Sequence, residues 1–178
     1  VRDTLNLVSP STTSQTDITD NDPETAGTQV TPEGTESVRQ ISFDEEELSG
    51  NVDINEYNNP PQQIRSRIAE SVHAAGTVER GNISVINVAD IIPDNDAAED
   101  SAATVTFSVP ANSIDNPEQL TVVKESYDFG QQQVTWTELD TAVEENDAKE
   151  ITVTARTDDF SLFVISKIEQ TGRKANDS

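Results

Sequence analysis

Carboxylates are the only chemically useful side chains that this sequence gathers at close spacing. Asp94, Asp96, Glu99 and Asp100 crowd the stretch PDNDAAED, and Asp17, Asp20, Asp22 and Glu24 crowd a second stretch nearer the start. Oxygen-rich loops of this kind are what Ca²⁺ or Mg²⁺ takes as ligands, so the first group is the candidate metal site. Neither stretch follows the ligand order of an EF-hand loop, and a diffuse atmosphere of counterions is the competing reading. Beyond such cations no cofactor is expected. Paired carboxylates also serve glycoside hydrolysis. Among 34 acidic residues any one pair is uninformative, so a glycan-processing enzyme is the least favoured reading.

Other reactive groups are sparse. His73 is the one histidine, lies near Ala69 and Ala74, and is read as a partly exposed structural residue rather than a ligand or base. The absence of cysteine excludes disulfides, thiolate metal sites and cysteine nucleophiles. Without a second histidine or a cysteine, most nucleophilic constellations cannot be assembled, and no catalytic residue is assigned. Asn82-Ile83-Ser84 and Asn176-Asp177-Ser178 match the N-glycosylation triplet, which makes Asn82 and Asn176 candidate glycan acceptors. Trp136 with Tyr127 and Phe129 is a candidate aromatic platform for sugars, weighed against a core role for the single Trp.

The elements that position these groups must fold under an unusual charge. The 34 acids face 11 basic residues, for a net charge of -23. Self-repulsion of this size loosens a compact domain in dilute buffer, whereas at molar ionic strength the Debye length falls to about 3 Å and the repulsion is screened. Seven of the basic residues are Arg and four are Lys, so long amine stems are rare, as in proteins adapted to very salty water. A chain this acidic has no basic face for phosphates, and nucleic acid is not an expected partner. No run approaches the roughly 20 apolar residues that span a bilayer. Val1 is not an initiator methionine, so a processed product or a fragment is expected.

Residues 9 to 36 are nearly all Ser, Thr, Asp, Glu, Pro and Gly, and burial cannot offset the ordering entropy of such a segment. Residues 1 to 36 are therefore expected to be a flexible tail or linker, of a composition that also suits an O-glycosylated stalk. Period-two patterning follows. Strands are predicted over Val38–Phe43, Asn51–Tyr57, Asn82–Ile92, Thr104–Val109, Leu120–Tyr127, Val134–Leu139, Glu150–Arg156 and Phe160–Ile168. Between the second and third, Ile64, Ile68, Val72 and Ala75 recur at helical spacing after Pro60-Pro61 and before Gly76, predicting a helix over residues 61 to 75. The expected fold is mainly β: an antiparallel β-sandwich over residues 37 to 170 with one short helix, and a short C-terminal tail over 171 to 178.

The stretch from Thr104 to Lys167 resembles the PGF-pre-PGF domain of archaeal surface proteins. Three features carry this: the strand TVTFSV followed by a turn and LTVVKESY, the group W-T-E-L-D-T from Trp136 to Thr141, and the closing aromatic strand FSLFVI from Phe160 to Ile165. Upstream, NVDINEY, IAESVHAAG and NISVINVADI are similar to haloarchaeal versions, so the likeness covers about residues 37 to 168. It implies an extracellular, cell-surface location, often just before a C-terminal sorting tail that is exchanged for a lipid anchor. The end TGRKANDS carries neither the PGF triplet nor a hydrophobic segment. The family brings no catalytic residues.

Together these readings describe a non-enzymatic surface module of a halophilic archaeon, or of its virus, acting in structural display or adhesion, with other envelope proteins and glycans as partners. An alternative is a subunit of a homopolymer, in which Val1–Val8 adds as a strand to a neighbour's sheet edge. The charge reading has a direct check. The melting temperature should rise by many degrees between dilute buffer and molar NaCl or KCl, and a flat salt profile rejects salt adaptation.

Overall fold

The computed structural model describes residues 9–20, 28–45, 48, 50–58, 60–76, 82–94, 96–111, 119–128, 130–145 and 150–169. In chain order the elements are β1 (Thr12–Asp17), β2 (Thr19–Asp20), β3 (Thr28–Val30), β4 (Val38–Phe43), β5 (Asn51–Asn58), α1 (Gln62–Ala75) and β6 (Asn82–Pro93). They continue with α2 (Asp96–Glu99), β7 (Ala103–Pro110), β8 (Leu120–Asp128), β9 (Gln133–Glu138), β10 (Asp140–Glu145), β11 (Glu150–Thr157) and β12 (Leu162–Glu169). The strands form two six-stranded sheets, sheet I in the order β1-β5-β6-β12-β8-β9 and sheet II in the order β10-β11-β7-β4-β3-β2. Every pairing is antiparallel. The fold is mainly β, as expected.

Alternation explains the layers. Val52 and Ile54 of β5, Val105, Phe107 and Val109 of β7, and Ile151, Val153 and Ala155 of β11 point into one apolar core shared by the two sheets. Four rings cross that core as a chain: Phe43 to Phe160 at 5.4 Å between centroids, Phe160 to Phe163 at 6.1 Å and Phe163 to Phe107 at 6.3 Å. A regular strand over Phe160–Ile168 would place Phe160 and Phe163 on opposite faces. Phe160 precedes β12, so strand alternation does not govern it, and both rings enter the same core.

Sheet I is buried on its other face as well. Ile64, Ile68 and Val72, spaced four residues apart along α1, pack on Ile83, Val85 and Val88 of β6, Val123 of β8, Leu162, Val164 and Ile168 of β12, and Trp136 of β9. Trp136 is thus a core residue, but of this helix-covered layer rather than of the space between the sheets; its Nε1–H donates to Ser71 Oγ at 2.9 Å. The helix starts at Pro61, whose carbonyl accepts from the N–H groups of Ile64 and Arg65. It stops at Gly76, which takes the left-handed conformation (φ 70°) that a C-terminal cap requires.

A bulge reconciles β6 with two buried faces. The register with β12 slips between Ile165 and Ser166, so that Ile165 opposes Asn87 and Ser166 opposes Val85, passing over Ile86. Ile83 and Val85 face the helix before the bulge and Val88 faces it after, a change of phase that the extra residue produces.

The described parts of residues 9 to 36 depart from the expected tail. Thr12–Asp17 pairs with β5, Thr28–Val30 pairs with β4, and Ile18 and Val30 reach the inter-sheet core. A Ser/Thr-rich strand at a sheet edge needs little apolar burial when backbone pairing satisfies it on one side and water on the other. Residues 1–8, 21–27 and 170–178, including the segment Val1–Val8, lie outside the described residues.

Phe163 is fully buried at the junction of three rings. Phe163→Ala should lower unfolding stability by about 3–5 kcal/mol in denaturant titrations. A change within about 0.5 kcal/mol would place this ring outside the core.

Candidate functional site

The two sheets are not equally long at one end. β5 pairs with β6 only as far as Asn58 opposite Asn87, whereas β6 continues down to Asn82 and β12 follows it to Glu169. Where β5 leaves the sheet, at Pro60-Pro61, a cleft of about 460 Å³ opens between the sheet ends. Ser84, Val85, Ile86 and Asn87 of β6 form one wall. Ser37, just before β4, and Ser108 of β7 form the other, with Pro110 beside them. Arg65 and Lys167 bring positive charge to the walls and Glu36 brings one negative charge. Arg65 Nε donates to Pro60 O at 2.8 Å, which fixes the guanidinium at the mouth.

A carboxylate forms the structural floor beside this cleft. Glu56 follows Val52 and Ile54 on the inward face of β5 and is wholly buried. Its Oε1 accepts from Thr12 Oγ1 at 2.6 Å and from Glu36 N–H at 2.7 Å; its Oε2 accepts from Ser37 N–H at 2.9 Å and Val38 N–H at 2.6 Å. Three successive backbone donors form a concave anion cradle, filled here by the protein's own side chain. The four partners are all donors, the set that an ionised, acceptor-only carboxylate satisfies. Glu56 therefore ties β1 and β5 of sheet I to the start of β4 in sheet II.

The polar network continues toward the cleft. Ser37 Oγ donates to Asn58 Oδ1 at 2.7 Å and accepts from Asn87 Nδ2 at 2.9 Å, while Ser37 O accepts from Ser108 N–H at 2.7 Å. Asn58 Nδ2 is buried and has no hydrogen-bond partner among the described residues. Such an orphan donor is uncommon in a folded protein and marks a place where an added acceptor would be satisfied.

Two further contacts lie away from the cleft, the first joining the two sheets and the second within sheet II. Lys124 of β8, almost wholly buried, donates to Thr157 Oγ1 at 3.3 Å and pairs with Asp159. Arg156 of β11 forms a forked pair with Asp44, the residue after β4. The hydrogen bonds from Arg156 hold the Asp44 carboxyl below the ordinary aspartate range, and Asp44 in return raises the affinity of Arg156 for its proton. Both side chains are about half exposed, so solvent screening leaves this pair little weight in stability.

The described candidate ligands of the acidic loop do not form a group. Asp94, Asp96 and Asp100 are exposed, and among the described residues no three His, Cys, Asp or Glu side chains group as a metal site. The reason is local. Asp96–Glu99 coils into one helical turn seated by buried Ala98, and a helix spreads successive side chains around its axis. The side chain of Glu99 lies outside the described set. Asn82 opens β6 opposite Glu169, its side chain not described, and Asn176 lies outside the described residues. His73 is exposed on α1. The buried position of Trp136 removes it from any sugar platform; Phe129 and the side chain of Tyr127 are outside the described set. Sequence reading missed the cleft and Glu56 alike. The available signal was a Glu in phase with Val52 and Ile54 on the inward face of NVDINEY.

Comparison with known protein families, with characterised proteins and with solved structures finds no match to this chain.

Replacing Glu56 by Gln sets an amide NH₂ against backbone N–H donors. Glu56→Gln should lower unfolding stability by about 1–3 kcal/mol and speed amide exchange at residues 36 to 38 and in β1 more than in α1. A stability change below about 0.5 kcal/mol would remove Glu56 from its tying role.

Proposed function

We propose that this chain is a non-enzymatic, extracellular module of a halophilic archaeon's surface, or of a virus of such a cell, and that it serves display or adhesion. The observation that carries the display role is the geometry of sheet I. Thr12, Glu56, Ala89 and Phe163 lie at one level across β1, β5, β6 and β12. From that level β1 runs toward the Pro93 end of β6, and β12 runs the opposite way to the Asn82 end. The start of β1 and the end of β12 therefore lie toward the same end, and the loop with Asp94 and α2 lies at the other. A module held by its flanking sequence presents that far end outward.

Charge supports the salty setting. Eleven basic residues cannot neutralise 34 acids however they are arranged. A surface so loaded stays soluble and non-adherent to its own kind until salt screens it. The likeness to the PGF-pre-PGF domain in TVTFSV, WTELDT and FSLFVI agrees with the same location.

The test is made on the native source. Intact cells or virions treated with an impermeant protease should lose the protein, and the mass of the purified chain should report its termini and any glycan at Asn82. Protection from protease in intact cells rejects the surface location, and turnover of a glycan by the pure protein rejects the non-enzymatic role.

A further inference from the structure

We infer that the outer face of sheet II pairs with the same face of a second copy of this chain, and that molar salt brings the two together. The inference adds a self-contact to the surface role proposed above and rests on that role only for its setting.

Alternation decides what this face carries. Ile41 and Phe43 of β4, Val105 and Phe107 of β7, and Ile151, Val153 and Ala155 of β11 point into the core. Gln40 and Ser42, Thr104 and Thr106, and Thr152 and Thr154 therefore point the other way. Register sets them side by side: Ser42 opposes Thr104, and Thr106 opposes Thr154. The centre of the face is a field of hydroxyls and amides without charge, in a chain whose net charge is -23. Two copies can meet there without setting carboxylate against carboxylate.

Four charges stand round that field and alternate in sign. Asp44, just beyond β4, and Arg156 of β11 pair across β7 at one end, where Arg156 also donates to Thr104 Oγ1 at 3.3 Å. Arg39 of β4 and Glu150 of β11 pair at 3.2 Å at the other end. The β4 side thus carries minus then plus, and the β11 side plus then minus. A twofold axis lying between the two faces along β7 exchanges these sides, because β7 separates β11 from β4. Each Arg of one copy then meets a carboxylate of the other, and none of the four meets its like. Side-chain exposures of 45 to 51 % leave these groups within reach, and a guanidinium, with five N–H donors, can serve two carboxylates. Further out, the same rotation sets Asp140 of β10 opposite Gln29 of β3.

Size and salt set the strength. The five strands from β10 to β3, at about 4.8 Å spacing, and the residues from Arg39 to Asp44, at about 3.3 Å each, span about 500 Å². A stable complex buries about 800 Å² per partner, so this pair is weak and forms where copies are crowded. Repulsion between two chains of -23 reaches about 30 Å at 0.01 M salt, whereas the Arg–carboxylate contacts act within a few ångströms. Salt removes the long-range repulsion first. Association should therefore rise with salt, the reverse of an interface held by exposed ion pairs alone.

Sedimentation of the full chain is measured up to about 1 mM, in dilute buffer and in molar NaCl. A monomer is expected in the first and a monomer–dimer equilibrium in the second. The Thr106 and Thr154 methyl signals should shift with concentration, and that of Ile92, exposed on sheet I, should not. The double variant Arg39→Glu with Arg156→Glu should weaken the dimer at least tenfold, as should Asp44→Lys with Glu150→Lys, and an equimolar mixture of the two should restore pairing. Thr154→Glu, at the centre of the face, is the further variant should either fail to fold. The inference is overturned by a monomer at every salt concentration, by a dimer that the variants keep, or by folded variants whose mixture restores nothing. It is also overturned if deleting residues 1 to 8 abolishes the dimer while the charge variants keep it, which assigns association to strand addition. A chain that pairs through this face but lies inside cells keeps the self-contact and loses the surface role.

Discussion

A carboxylate with no access to water has to be met by donors, and in this fold that requirement falls on Glu56. Its two oxygens take the N–H groups of residues 36, 37 and 38 and the hydroxyl of Thr12. Removing any one of these donors leaves part of a buried charge unsatisfied, a state much worse than the loss of one ordinary hydrogen bond. The start of β4, the docking of β1 and the spacing of the two sheets at this end are therefore set by one side chain. Apolar packing alone could not do this, because a hydrophobic core is tolerant of small slips whereas four hydrogen bonds to two atoms are not.

The cleft is the other side of the same arrangement. β5 ends just beyond Glu56 and turns through Pro60-Pro61, which cannot supply ladder donors, into a helix that covers the outer face of sheet I. Among the described residues, the lower part of β6 pairs with β12 on one side and with no strand on the other. Ser37 links the two features: its N–H binds Glu56, while its hydroxyl bonds to Asn58 and Asn87 on the cleft wall.

How much was legible in the chain depended on whether burial leaves a trace in polarity. β4 and the strands from β5 to β9, together with β11 and β12, announce themselves by alternation, and Ile64, Ile68 and Val72 with Pro61 and Gly76 mark α1 closely. β1, at the edge of sheet I, did not, since TTSQTD buries little and pairs by backbone alone. β10, reading DTAVEE, was hidden by acids that face water on the edge of sheet II. Trp136 was legible as a core residue but not as part of a second layer, because period two says that a face is covered and not by what. The cleft was invisible for a different reason. It is made by the lengths at which strands stop, which no local pattern records.

The position of the first rung has a mechanical meaning. Tension applied through the sequences flanking β1 and β12 pulls both strands from the same end of sheet I, so the β1–β5 hydrogen bonds load one after another, as in a zipper, instead of sharing the force in shear. Such a geometry yields at low force and suits a pendant rather than a link in a cable. The rung that meets the force first is Thr12 opposite Glu56. It is also the most heavily fastened: Thr12 Oγ1 bonds to the buried carboxylate, Ser11 N–H to Glu56 O, and Asn58 N–H to Ser11 Oγ. The charge that aligns the sheets thus also sits at the point where peeling would begin.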